Sequence, residues 1–599
     1  MFADNKPDWL QVLKGGFIFD SSAIFYTNLL YALLVLIPLF IGHNGNKVIG
    51  NIQKIVFVVI NSVAVVTNLV DCVYAQYTGR RTTTTVFREF ESENNLGSII
   101  GTELLSHWYL VLLGVALIVM LWLLYKDVSQ KKPDRRKSLI RYILLTLNLV
   151  LYLAVSVVAM RGGVSTAIRP IAVSNANQYV RNPSQASLVL NTPFSLIRTL
   201  GKNVFKDPNY FENPEQYFSP LHQFEASEEG NLKGKNVVIL ILESFSSEYI
   251  EEGYAPFTDS LLHESLTFSQ SYANGRKSID AMPSILASIP MFIEPYVLTP
   301  ASLNPINSVA SLLNPLGYRT AFFHGAENSS MGFQAFAKAA GFQYYYGRNE
   351  YDQEPRFGGE KDFDGTWAIW DEPFLQYYAE MMDTLPQPFL TALFTASSHH
   401  PFAIPQQYEQ RFHQGPMAIH RCVRYSDNAL RQFFITASKM PWYSNTLFVL
   451  TADHTNMLQG KSHAAPIAPY RVPIAFFDPS GKLPRGTMDA VAQQIDIMPT
   501  LLSMLGYEKP FVAFGIDLMT TPPEKSWAVN YNNGLYQYIT LNEFIQFDGS
   551  QTMFHATLSA DRQGTTLTPN QNPGDLTQLK AIIQSYMRRM TNNEMTITE

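Results

Sequence analysis

The chain has 599 residues, of which 46% are hydrophobic and only 16% are charged, whereas soluble domains average about 25% charged residues. This shortage of charge argues against a wholly soluble protein. The net charge of −6 provides no basic surface that could neutralise phosphates, so we expect no nucleic-acid partner.

Four apolar stretches are predicted to be transmembrane helices, because each approaches the roughly 20 residues that a bilayer core requires. Residues 1–160 would then form a transmembrane domain. The loop 126–141 is rich in Lys and Arg, which by the positive-inside rule places it in the cytoplasm and the chain after residue 160 outside. Residues 1–20 contain no cleavable signal peptide, and we expect an earlier helix before Met1. The four stretches are 22–42, 54–71, 105–125 and 139–160.

The rest of the chain is predicted to be a linker, 161–234, followed by an α/β domain, 235–525. In that domain short continuous apolar strands alternate with helices such as 420–438 and 488–505, which is typical of a mainly parallel sheet sandwiched by helices. Residues 526–599 are expected to form a hairpin region, up to residue 560, and a polar, peripheral tail. The predicted strands are NVVILILES, YRTAFFHG, FLTALFTAS, TLFVLTAD and VPIAFFDP.

Polar side chains follow three of these strands at the point where each strand ends. Ligands of open α/β sheets bind beyond the carboxyl ends of the strands, so these side chains are expected at one site. Two carboxylates and a histidine at one edge form a ligand set suited to a divalent cation such as Mn²⁺ or Zn²⁺. The residues are Glu243-Ser244, His399-His400 and Asp453-His454.

A turn in the segment SYANGRKSIDAMPSILASIP brings Arg276, Lys277 and Ser278 to the start of a predicted helix, with Ser278 as the N-cap. A hydroxyl at a helix N-terminus, beside two cations and a metal, would have its alkoxide stabilised and its phosphate adduct held by backbone N–H groups. Ser278 is therefore a candidate nucleophile and fourth ligand. The alternative is a plain helix cap with Arg276 and Lys277 in solvent.

Six segments occur in an order that is typical of one family: LESFSSEY, NGRKSIDAMPSIL, FFHG, SSHHPF, TADHTN and QQIDIMPTLLSMLG. In this order they resemble the sulfatase-like half of the alkaline phosphatase superfamily. The chain is most similar to the lipoteichoic acid synthase and phosphoglycerol transferase family, which also places several membrane helices before an extracytoplasmic catalytic domain.

The resemblance implies one bound divalent metal ion, manganese first, with zinc or magnesium as alternatives. The implied ligands are Glu243, Ser278, Asp453 and His454. Ser278 would also be the nucleophile; the family more often has Thr there, and either hydroxyl can attack phosphorus. His399 would contact the substrate or act as a general acid.

The same resemblance implies a substrate site around the metal. For His324 and Trp367 the alternative to substrate binding is a structural role. For His400 the alternative is an indirect role, without contact to the substrate. The residues predicted to bind substrate are Arg276, Lys277, His324, Trp367, Asp371, His400 and His463.

The implied activity is that of a membrane-anchored, metal-dependent phosphotransferase. Ser278 would attack a phospholipid headgroup, phosphatidylglycerol by preference, and the phosphoserine would then pass phosphoglycerol to a cell-envelope acceptor, a glycan or a lipid-linked molecule. We expect a multi-pass protein of the cell (inner) membrane with an extracytoplasmic catalytic domain.

Other activities are weighed against this one. A phosphoethanolamine transferase acting on lipid A or a glycan has the same layout, but such enzymes usually carry several disulfides, and Cys422 stands alone in the domain. A phosphodiesterase would release the headgroup into water. A sulfatase is disfavoured because Ser278-Ile-Asp-Ala-Met departs from the sulfatase signature at its third and fifth positions. A catalytically idle protein is disfavoured because all four implied ligands are present.

Overall fold

The computed structural model divides the chain into two compact units. The first unit is Met1–Asn203 with Leu298–Leu303, and the second is Val204–Val297 with Asn304–Glu599. The structure describes residues 7–41, 47–78, 81–84, 86, 104–126, 139–164, 170–180, 185–201, 205–225, 232–328, 330–458, 466–532, 534–558 and 567–597.

The first unit is helical. Three apolar helical stretches in its described part are long enough to cross a membrane by length and composition, and they correspond to the first, second and fourth predicted spans. The third predicted span forms a shorter apolar helix of 17 residues, below the roughly 20 that a bilayer core requires. Most of the basic loop 126–141 lies outside the described residues. The helices are α1 Trp9–Thr27, α2 Leu29–Ile41, α3 Lys47–Thr78, α4 Trp108–Leu124, α5 Leu139–Arg161, α6 Ala186–Val189 and α7 Thr192–Thr199.

Helix α1 begins well before the predicted first span. The Asp8 carboxylate caps it by accepting a hydrogen bond from the backbone N–H of Gln11. The buried face of α1 includes Phe19, whose ring packs edge-on against Phe194 of α7 at 4.8 Å. Much of segment 170–200, predicted as part of the linker, is therefore packed within the first unit.

The second unit contains fifteen strands among its described residues. An eight-stranded sheet lies at its centre, a five-stranded sheet follows along the chain, and β1 pairs with β10. The strands are β1 Leu221–His222, β2 Asn236–Leu242, β3 Leu266–Tyr272, β4 Arg319–His324, β5 Tyr344–Tyr346, β6 Phe389–Phe394, β7 Thr446–Ala452, β8 Ile474–Phe477, β9 Gly486–Gln493, β10 Phe511–Val512, β11 Trp527–Asn532, β12 Leu535–Thr540, β13 Glu543–Phe547, β14 Thr552–Leu558 and β15 Leu567–Pro569.

The central sheet has the strand order β5-β4-β6-β2-β7-β8-β3-β9. Only β8 runs antiparallel to its neighbours, and the other strands all point the same way. Every residue of β2 is buried, as expected of a central strand covered on both faces. The predicted α/β fold with a mainly parallel sheet is confirmed, and the carboxyl ends of β2, β6 and β7 lie at one edge.

Two strands at the edge of this sheet differ from the prediction. Residues 488–493, predicted as the start of a helix, belong to β9, and a helix forms only at Ile497–Met504. Strand β3 is not among the predicted strands. The two pair in parallel from Leu266 to Tyr272, so a sheet partner distant in sequence decides the conformation of both segments.

Helices cover the central sheet, and the predicted helix 420–438 is confirmed as α15. Helices α14 and α15 contribute many buried side chains to the hydrophobic core on one face. The helices of the second unit are α8 Ser247–Glu251, α9 Pro256–His263, α10 Ser278–Ala287, α11 Val309–Leu313, α12 Phe333–Ala339, α13 Arg348–Asp352, α14 Asp371–Asp383, α15 Ile419–Ala437, α16 Ile497–Met504 and α17 Thr577–Asn592.

The C-terminal region forms an antiparallel sheet and a helix. Strands β11 to β15 pair in sequence order, as the alternating pattern of 526–560 predicts. The tail differs from the expected peripheral segment, because α17 buries one face, including Ile582 and Tyr586. The Gln584 side chain donates to and accepts from the Phe211 backbone, each at 2.9 Å.

Candidate active site

Two carboxylates and an imidazole lie together at the carboxyl edge of the central sheet. Glu243 follows β2, and Asp453 and His454 follow β7, the parallel neighbour of β2. Their ligand atoms all lie within 4.8 Å of one another. His454 Nε2 is 3.1 Å from Asp453 Oδ2 and 3.8 Å from Glu243 Oε1. Both carboxylates are buried, so the parallel register forms a compact and protected acidic cluster.

Ser278 joins this cluster from the first turn of α10. Its hydroxyl donates a hydrogen bond to Glu243 Oε2 at 3.1 Å and lies 3.5 Å from His454 Nε2. The predicted N-cap role is wrong, because α10 begins at Ser278 itself and the extended residue Lys277 occupies the cap position. The hydroxyl therefore points toward the carboxylates, and all four predicted ligands come together.

The orientation of His454 suits a metal ligand. Its Nδ1–H donates to the Thr455 carbonyl oxygen at 2.6 Å, so the lone pair of Nε2 faces Glu243 and Asp453. Metal-ligating histidines usually donate their other ring N–H in this way. Asp453 Oδ2 is buried and has no hydrogen-bond donor among the described residues. Such an oxygen is available to coordinate a cation.

The electrostatics of the two carboxylates also favour a cation. Burial raises the pKa of Asp453 well above its ordinary value, and the Glu243 charge raises it further. Burial likewise opposes ionisation of Glu243, but His454, His399 and the Ser244 hydroxyl together bring the pKa of Glu243 below its ordinary value. Adjacent buried carboxylates are costly unless a cation compensates them. Carboxylate oxygens, an imidazole nitrogen and a hydroxyl fit a Mn²⁺ or Zn²⁺ ion.

The turn before Ser278 is held by Asp280. The Oδ2 atom of Asp280 accepts a hydrogen bond from the Arg276 backbone N–H at 3.3 Å. A Cβ at Gly275 would lie only 2.3 Å from the Asp280 Cβ, so this close approach requires glycine. Burial raises the pKa of Asp280 to about 6, although the Lys277 charge opposes the shift.

His399, His400 and Trp367 form a second group, beyond the end of β6. The Nδ1–H of His399 and the Nε1–H of Trp367 both donate to the His400 carbonyl oxygen, at 2.8 Å and 2.6 Å. The Trp367 and His399 rings meet edge-on at 4.6 Å. This arrangement fixes the His399 ring and leaves its Nε2 for a substrate. The His400 side chain is exposed and packs against Phe402.

Two further predicted substrate-binding residues are buried and hydrogen-bonded to the protein. The His324 Nδ1–H donates to the Phe394 carbonyl at 3.0 Å, and burial lowers the pKa of His324 to about 4. Asp371 Oδ1 accepts the backbone N–H groups of Ala396 and Ser397 at 2.9 and 3.1 Å. Asp371 therefore holds the backbone that leads from β6 to the second group. A direct substrate contact of His324 or Asp371 stays a prediction.

Two predicted cations immediately precede Ser278, whereas one predicted histidine is not described. Arg276 and Lys277 both have exposed side chains. Their contact with a phosphate at the Ser278 hydroxyl stays a prediction. His463 lies outside the described residues.

Sequence reasoning does not give the polar residues around the carboxylates a supporting role, and it does not name Thr395 or Asn456. The Thr395 hydroxyl accepts the Glu243 N–H at 2.8 Å, and the Ser244 N–H donates to Asp453 Oδ1 at 2.7 Å. The Ser244 hydroxyl donates to Glu243 Oε1 at 2.7 Å and accepts from the Asn456 amide. All three residues follow the observed end of β6, β2 or β7 within a few positions, and that placement was the available signal.

Comparison with known proteins agrees with this architecture. Residues 235–507 match the family model described as Sulfatase, and the predicted resemblance is confirmed. The chain is 26% identical over 324 residues to the lipoteichoic acid synthase-like protein YvgJ of Bacillus subtilis (strain 168), covering 49% of this chain and 51% of that protein.

A second relative is phosphoglycerol transferase I of Xanthomonas campestris pv. campestris. It is 22% identical over 369 residues, which cover 58% of this chain and 51% of that protein. The chain thus spans about half the length of these two relatives. Among solved structures, a protein in the alkaline phosphatase superfamily from Vibrio parahaemolyticus has a TM-score of 0.55 at 24% identity, covering 67% of this chain and 96% of that one. That likeness concerns the fold alone.

Proposed function

We propose that the protein is a membrane-anchored phosphotransferase that moves phosphoglycerol from phosphatidylglycerol to a cell-envelope acceptor. The observation that carries the proposal is the Ser278 hydroxyl hydrogen-bonded to Glu243 inside a buried cluster that also contains Asp453 and His454. The names of the two relatives support a transferase acting on phosphoglycerol or a lipoteichoic acid-like product.

In the first step, Ser278 Oγ loses its proton to water and attacks the phosphorus of the lipid phosphodiester. A divalent cation held by Glu243, Asp453, His454 and Ser278, manganese by preference, would favour the alkoxide and offset charge on the phosphoryl oxygens. The bond from phosphorus to the diacylglycerol oxygen breaks as the bond to Ser278 forms. Arg276 and Lys277 neutralise the remaining charge on the phosphoryl group.

His399 handles the proton in both steps. Because its Nδ1–H is committed to the His400 carbonyl, Nε2 is the atom that gives a proton to the departing diacylglycerol oxygen. In the second step the same nitrogen accepts a proton from the acceptor hydroxyl, which attacks the phosphoserine. The phosphorus–Ser278 bond breaks, and Ser278 Oγ takes a proton back from water, which restores the hydroxyl.

The first unit would keep this chemistry at the membrane that supplies the lipid donor. Its three long apolar helices support membrane insertion, and we infer a multi-pass protein with an extracytoplasmic catalytic domain. A reporter enzyme fused after residue 230 should be active only on the outer side. A cytoplasmic signal from that fusion would refute the proposed topology.

The covalent step is tested by intact-protein mass spectrometry of the full chain in detergent with Mn²⁺ and phosphatidylglycerol. We expect a phosphoglycerol adduct that maps to Ser278, is absent from Ser278→Ala and is retained in Ser278→Thr. Ser284→Ala is the control, because Ser284 is a buried serine of the same helix whose hydroxyl bonds only to backbone carbonyls. An adduct formed by Ser278→Ala at the wild-type level would refute the nucleophile.

The same experiment separates the alternative activities. A phosphoethanolamine adduct from phosphatidylethanolamine would assign a different headgroup. Release of free headgroup without transfer to any acceptor would indicate a phosphodiesterase.

A further inference from the structure

Gln494 lies between the two segments that supply Asp453 and Ser278. Its side-chain amide donates to the carbonyl oxygens of Ala452 and Asp453, at 2.7 and 2.8 Å. Its side-chain oxygen accepts the backbone N–H of Asn274 at 3.0 Å. One side chain therefore contacts both the end of β7, which carries two carboxyl-edge ligands, and the turn that leads to Ser278.

The Asn274 side chain in turn bonds to the backbone of the segment that carries Gln494. Its side-chain oxygen accepts the backbone N–H of Ile495 at 3.0 Å, and its amide donates to the Val529 carbonyl at 2.8 Å. Gln494 and Asn274 are both fully buried, so water does not compete for these bonds. The two residues form a reciprocal clasp between the nucleophile turn and the segment after β9.

The turn beyond Asn274 has little freedom of its own. Gly275 contacts Asp280 closely, and Arg276 donates its N–H to the same carboxylate. A shift in the position of Asn274 would therefore also shift Ser278. A shift of the Asp453 carbonyl oxygen would likewise shift the Asp453 side chain. The position of Ser278 relative to Asp453 depends on Gln494.

We propose that Gln494 is a positioning residue that sets the geometry of the metal-ligand cluster by joining the nucleophile turn to the ligand-bearing end of β7. This inference rests on the proposed function, because it assumes that the cluster binds a divalent cation. Supporting partners of metal ligands typically change metal affinity by about 10–100-fold when they are lost.

The test uses the full chain in detergent and Mn²⁺ alone, with the Kd measured by titration calorimetry. Gln494→Met keeps the length of the side chain and removes all three hydrogen bonds. Gln494→Asn keeps the amide but shortens the side chain by one methylene group, so that it cannot span both partners, and it carries the test if the first variant fails to fold. Both should raise the Kd for Mn²⁺ by about 10–100-fold.

Gln584→Met is the matched control. Gln584 is equally buried, and its side-chain amide and oxygen both bond to the Phe211 backbone, which belongs neither to the cluster nor to the turn before Ser278. We expect this variant to lose stability and to keep the wild-type Kd. Wild-type affinity in the Gln494 variants, or equal weakening by Gln584→Met, would overturn the inference.

The outcomes for this inference and for the proposed function are separable. A wild-type protein that binds Mn²⁺ and forms no phosphoserine would refute the proposed transfer and leave the comparison of affinities valid. A wild-type protein that binds no Mn²⁺ would refute both.

Discussion

Replacement of Gly275 by alanine should slow the proposed reaction strongly, although Gly275 is not itself a proposed ligand. The added Cβ would lie 2.3 Å from the Asp280 Cβ and 2.6 Å from its Oδ2, whereas carbon atoms in contact prefer about 3.5–4.0 Å. The Cβ of Asp280 is fixed to the backbone of α10, so rotation of the side chain cannot relieve the clash. The start of α10, including Ser278, has to move.

The size of the effect follows from these distances. The clash requires a displacement of about 1 Å, and a misplacement of that size at a reacting group costs about 100-fold in rate. Overpacking of a buried site costs about 1–3 kcal/mol of stability. We therefore expect Gly275→Ala to remain folded and to form the Ser278 adduct about 100-fold more slowly than wild type.

Gly415→Ala provides a matched control. Its added Cβ would lie 2.8 Å from the Cβ of the buried His420, again five residues later and at the start of a helix. The assay is the rate of adduct formation per folded molecule, followed by mass spectrometry beside thermal unfolding. Equal loss of rate in both variants, or a wild-type rate in Gly275→Ala, would show that the contact between Gly275 and Asp280 does not position Ser278.

Three other predictions concern single side chains. Burial raises the pKa of Asp280 from 3.8 to about 6, so its contribution of about 3 kcal/mol to the free energy of unfolding is present below pH 3.8 and lost as the pH rises through 6. The free energy of urea unfolding, measured without metal, should therefore depend less on pH in Asp280→Asn than in wild type. An equal pH dependence in the two proteins would contradict this. Asp453→Asn removes a carboxyl group whose ionisation is opposed by burial and by the Glu243 charge, so its melting temperature without metal should equal or exceed that of wild type. The rise in melting temperature with Mn²⁺ should disappear, and a wild-type rise would exclude Asp453 as a ligand. Trp367→Phe loses one hydrogen bond to the His400 carbonyl, which is worth about 0.5–1.5 kcal/mol. The variant should transfer the headgroup up to about tenfold more slowly and keep the wild-type Kd for Mn²⁺. An unchanged transfer rate would show that the bond does not orient His399.

The predicted placement of side chains was accurate where they follow central strands. A continuous apolar strand such as β2 can be identified from its own residues, and the polar residue after it then lies at the carboxyl edge. Glu243, Asp453 and His454 follow such strands and come together as predicted. Their assignment as metal ligands stays a prediction until the affinity is measured.

The prediction was poorer where a segment depends on a distant partner. The pattern of residues 488–493 favours a helix, yet pairing with β3 makes them a strand. Ser278 was expected to cap its helix, but its hydroxyl bonds to Glu243 instead. Neither partner could be identified from local spacing.

The fold class, the apolar helices of the first unit and the order of the chemical groups along the chain can be predicted from sequence. These properties depend on local composition and on strand periodicity, which each segment carries independently. The contacts between those groups become known only from the folded chain. The clasp between Asn274 and Gln494 joins residues 220 positions apart, and this hydrogen bond exists only after β3 and β9 have paired.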